Sequence, residues 1–71
     1  MKERIYQTLV NRYHSQMEDA LLKIDLLLAN LASNSVMVGH SDITTEIDKL
    51  LSAAAAAKEK QAILKKYYSS N

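Results

Sequence analysis

Residues 6–31 read YQTLVNRYHSQMEDALLKIDLLLANL, and within them Tyr6, Val10, Tyr13, Met17, Ala20, Ile24, Leu27 and Leu31 recur in alternating steps of four and three. That spacing follows one face of an α-helix and forms a heptad seam. A second seam runs through Ile43, Ile47, Leu50, Ala54, Ala57, Gln61, Leu64 and Tyr68. Folding the chain back near Met37 sets each position of one seam against one of the other, from Tyr6 opposite Tyr68 to Leu31 opposite Ile43. The pattern predicts an all-α fold, an antiparallel two-helix hairpin whose shared core is interrupted by one polar side chain, Gln61.

Working outward, residues 2 to 32 contain neither Gly nor Pro and are rich in Leu, Ala, Lys, Glu and Gln, which predicts one helix of roughly 45 Å. Ser33, Asn34 and Ser35 compete with the helical backbone for hydrogen bonds and should end it. A loop over about 33–41 then surrounds the single glycine, Gly39. Ser41 or Asp42 is placed to cap a second helix over about 42–68, with Asp42 and Glu46 near the positive end of its dipole and Lys65 and Lys66 near the negative end. The whole chain, 1–71, reads as a single helical-hairpin domain.

A chain of 71 residues buries only about 60% of its unfolded surface, and two helices alone leave it short of core. There is no cysteine to form a disulfide and no clustered His and carboxylate set of structural-zinc type, so self-association is the expected remedy. Leu21, Leu28 and Leu51 flank the seams, and Leu22 with Leu26 adds an outer stripe. These leucines predict a helical-bundle homo-oligomer. The unbroken run Ala53–Ala57 has two readings, high helix propensity and close approach of a neighbouring helix. No apolar run of about 18 residues is present to span a bilayer, and the charged start Met1–Arg4 does not read as a signal peptide. No membrane partner and a cytoplasmic location, the host cytoplasm for a phage-encoded chain, are therefore expected.

Nine Lys and Arg against eight Asp and Glu leave a net charge of +1, so no whole-molecule field draws the chain to nucleic acid. The hairpin nevertheless separates its charges. Arg4, Arg12, Lys58, Lys60, Lys65 and Lys66 gather where the chain ends meet, while Glu18, Asp19, Asp25, Asp42, Glu46 and Asp48 weight the middle and the loop end.

Among residues that carry chemistry, His40, Ser41 and Asp42 include the types of a hydrolytic triad, but three consecutive residues cannot align nucleophile, base and orienting carboxylate. No enzyme and no cofactor are expected. His14 and Glu18 share a helix face as two ligands without a third, a solvated pair in the plain reading, so no metal site is expected. The start of the second helix, with His40, Ser41, Thr44 and Thr45, offers free backbone N–H groups to an anion, although Asp42 and Glu46 already place negative charge there. The basic, aromatic end is the stronger candidate for ligand contact. Arg12, Tyr13, Lys65, Lys66 and Tyr67 combine groups that meet phosphate with rings that stack on a base. The competing reading is structural, with tyrosines filling a widening core and lysines complementing a helix end.

At Tyr13–Ala20 and again over Gly39–Lys60, with its run Gly-His-Ser-Asp-Ile-Thr-Thr-Glu-Ile-Asp-Lys-Leu, the chain resembles short uncharacterised helical-hairpin proteins of tailed phages, although Ser41 stands where their loops commonly have proline. More loosely, the stretch Asp48-Lys49-Leu50 leading into Ala57 is similar to the phage anti-CBASS sponges, small helical proteins that assemble into hexamers and sequester cyclic nucleotide signals between subunits. In architecture alone the chain also resembles plasmid RNA-binding hairpins that dimerise into four-helix bundles. The resemblance implies a non-enzymatic, homo-oligomeric binding protein of phage type that holds a small nucleotide-derived immune signal, such as a cyclic nucleotide, between subunits. Two alternatives stand beside it: an RNA- or DNA-binding four-helix bundle, and an assembly factor docking on a host or virion protein through Leu22 and Leu26.

Overall fold

The computed structural model describes residues 2–33 and 40–69, with side chains described over 2–31 and 42–69. The described residues form two helices, α1 (Lys2–Ser33) and α2 (His40–Tyr67), packed against each other as a hairpin. Its extents are 52 × 16 × 15 Å, one long helix deep and two helices wide.

The seam positions supply the contact. Val10, Ala20, Ile24, Ala54 and Ala57 are buried, and Tyr6, Tyr13, Met17, Leu27, Leu31, Ile43, Ile47, Leu50, Gln61 and Leu64 are half-buried. Leu9, beside the first seam, is half-buried as well. Burial is deepest where small side chains meet: Ala57 is 2% exposed and Ala20 is 4% exposed. This resolves part of the alanine run. Ala54 and Ala57, the seam positions of the run, are covered in the contact with α1, while Ala53, Ala55 and Ala56 remain exposed.

Gln61 sits in the seam without an orphaned polar group. Its Nε2 donates to the backbone carbonyl of Val10 at 3.2 Å, a bond from α2 to α1. Among the described residues no buried side-chain nitrogen or oxygen lacks a partner.

Three expectations at the element ends change. The first helix continues through Ser33, so the competing Ser-Asn-Ser run does not stop it at its first residue. The second helix begins at His40 rather than 42, which puts Asp42 inside the first turn; it still favours the positive dipole end there but is not the cap. The loop residues 34–39, and the side chains of His40 and Ser41, lie outside the described residues. At the far end α2 stops at Tyr67, and Tyr68 donates its N–H to the Leu64 carbonyl at 3.0 Å. Tyr68 is 61% exposed, so the last expected seam position is not core, because α2 ends one residue before it, at Tyr67.

Candidate functional site

Open grooves lie between the described parts of the two helices, one of them toward each end of the hairpin. The larger, about 290 Å³, lies toward the loop end between Leu26, Leu27 and Leu50, with Lys23, Asn30 and Glu46 at its rim. Lys23 is itself held by Asp19 at 3.1 Å, one helical turn earlier. The smaller groove, about 170 Å³, lies where the chain ends meet and is lined by Lys2, Ile5, Tyr6, Leu9, Leu64 and Tyr68.

Of the ligand-contact candidates, Tyr13 is half-buried in the seam. One face of its ring is covered by the Lys60 ammonium, 5.4 Å from the ring centre. A cation at that distance is attracted by the ring's negative face. Lys60 precedes Gln61, the seam counterpart of Tyr13, which is why it reaches across. Arg12, Lys65 and Lys66 are exposed, and Tyr67 is 66% exposed with the Lys66 ammonium 5.3 Å from its ring centre. The five therefore share one end of the hairpin, but neither groove is lined by any of them.

The residues that do line the basic-end groove include Lys2, Ile5 and Leu9, which the seam pattern does not single out. Their signal is the flanking position: Leu9 precedes Val10 in the seam, and Ile5 lies one turn earlier on the same side. At the start of α2, Thr44 and Thr45 are exposed and each takes part in an interaction, while the side chains of their expected companions His40 and Ser41 lie outside the described residues. His14 and Glu18 are exposed, and among the described residues no group of three or more His, Cys, Asp or Glu gathers as a metal site would require. Neither described helix is long and apolar enough to cross a membrane.

The fold defines the chain as a two-helix antiparallel hairpin with open apolar grooves. No family model, curated protein or solved structure matches it.

Proposed function

We propose that the chain is a non-enzymatic binding protein of phage type, working as a homo-oligomer that sequesters a small nucleotide-derived signal between its subunits. The observation that carries this reading is the groove at the basic end, where Tyr6 from α1 and Tyr68 beyond α2 stand with Lys2 around a space of about 170 Å³. Rings and an ammonium suit a base and a phosphate. Pockets that enclose a small ligand run to about 300–1,000 Å³, so this groove needs a second wall. Another copy of the chain is the economical source of one, and Arg12, Lys65 and Lys66 at the same end supply charge for the phosphates. Sequestration requires no bond to break.

Calorimetric titration with a panel of cyclic dinucleotides and cyclic ADP-ribose isomers tests the reading. The expected result is saturable heat with fewer than one ligand per chain, weakened at least tenfold by Tyr6→Leu or by Arg12→Ala with Lys65→Ala. Heats equal to dilution across the panel would remove it.

A second reading, docking on a larger protein, is favoured by one observation: Leu22 and Leu26 are 55% and 56% exposed, and Leu26 lines the larger groove. Affinity for single-stranded RNA or DNA that falls steeply with salt would instead favour the nucleic-acid bundle.

A further inference from the structure

From the placement of the exposed leucines we infer that two copies pair through one particular side of the hairpin, antiparallel and about a two-fold axis that passes beside Leu51. This rests only on the oligomeric part of the reading above: it specifies a contact on the side opposite the basic-end groove, whose Ile5 and Leu9 directly precede the seam, and is separate from whatever contact walls that groove. A compact 8.0 kDa monomer ordinarily exposes about 4,450 Å², whereas this chain exposes 5593 Å². The surplus of roughly 1,100 Å² is comparable to the approximately 800 Å² each partner buries in a standard interface.

The side is fixed by position along the seams. Leu21 and Leu28 directly follow seam residues Ala20 and Leu27, and Leu51 directly follows Leu50. In an antiparallel helix pair, residues in that relation to the seam share one side. Lys23, Asn30 and Glu46, which directly precede seam residues, line the groove on the other side. The three leucines, 40%, 48% and 51% exposed, thus make one patch in the loop half of the hairpin. On the same side, toward the chain ends, His14, Lys58 and Lys65 follow the seam in the same way.

That charge distribution selects the orientation. A patch-to-patch dimer with both loops at one end sets α1 of each copy against α2 of the other and brings Asp25 level with Asp48 across the contact. Turning one copy around keeps leucine against leucine, sets α2 against α2, and carries Lys58 of each copy toward Asp48, which follows the seam on the same side, in the other. An isologous contact of this kind closes on itself, so it yields a dimer or an even-numbered assembly of dimers.

The absence of cysteine makes the test direct. Leu51→Cys, Leu28→Cys and Ala53→Cys are prepared singly, oxidised at micromolar concentration, and resolved on a non-reducing gel, with the native mass of each reduced protein measured by light scattering. The proposal expects an even multiple of 8.0 kDa and a covalent dimer from Leu51→Cys alone. It expects none from Leu28→Cys, whose two copies lie roughly 15 Å apart along the axis in the antiparallel pair, and none from Ala53→Cys on the opposite side. A covalent dimer from Leu28→Cys overturns the orientation. Covalent dimers from Ala53→Cys without Leu51→Cys, in a protein of multiple mass, overturn the chosen side and leave the oligomer standing. A mass of one chain throughout overturns both.

Discussion

Gln61 shows at the scale of one residue how a polar side chain can occupy a hydrophobic seam. Its amide reaches the Val10 carbonyl at 3.2 Å, a group that already accepts its own helix's bond, so the contact adds a partner to a satisfied acceptor. Gln61→Ala removes both that bond and the packed stem, and it should destabilise the hairpin by about 1–2 kcal/mol. Gln61→Leu leaves no group unsatisfied and should be neutral or stabilising, while relaxing the register that a lone polar seam residue fixes. Urea unfolding followed by helical circular dichroism measures both. Tyr13 poses a different question, because its ring serves the core and carries the Lys60 ammonium at once. Lys60→Met should lower stability by no more than about 1 kcal/mol, the range for an exposed cation over a ring; a larger loss in the same urea titration would mean that Lys60 holds the helices together in another way. Of the candidate site, the shared basic end was legible from charge counting along the folded chain. The groove itself was not, since Lys2, Ile5 and Leu9 line it from positions beside the seam, and a seam pattern ranks such positions as flanks.

Between the two helices, packing is set by alanine. Ala57 is the most buried of the core residues, so the larger side chain of leucine would have to displace the atoms that cover it. Ala57→Leu should cost about 1–3 kcal/mol through overpacking, despite adding apolar surface. Ala55→Leu, exposed two residues earlier, should change the stability of the isolated hairpin by less than about 0.5 kcal/mol. Thermal melts of the two variants beside the parent check the contrast. The helices and their pairing were legible because alternating steps of four and three serve both helical periodicity and a partner's groove, and the structure buries or half-buries every such position except Tyr68. The ends were less so. Capping preferences place the second start at Ser41 or Asp42, yet the helix already includes His40, since a favourable acidic residue is accommodated equally within the first turn.

The whole molecule is a rod with too little inside it. Among the described residues, three of the five buried hydrophobic ones are alanines, while nine large hydrophobic side chains, including Leu21, Leu22, Leu26, Leu28 and Leu51, are exposed. Neither the number of copies nor the ligand could be read from the sequence. On the proposed reading both depend on surfaces that come together only in an assembly, and one chain's seam pattern describes only the contact it makes with itself. If subunit contacts supply the missing core, stability is linked to concentration, and the melting temperature should rise by several degrees over a hundredfold increase in protein. The most direct test of the central claim is the solution mass, by light scattering coupled to native mass spectrometry, over the same concentration range. A discrete multiple of 8.0 kDa persisting at low micromolar concentration is predicted, and a mass of 8.0 kDa at every concentration would contradict it.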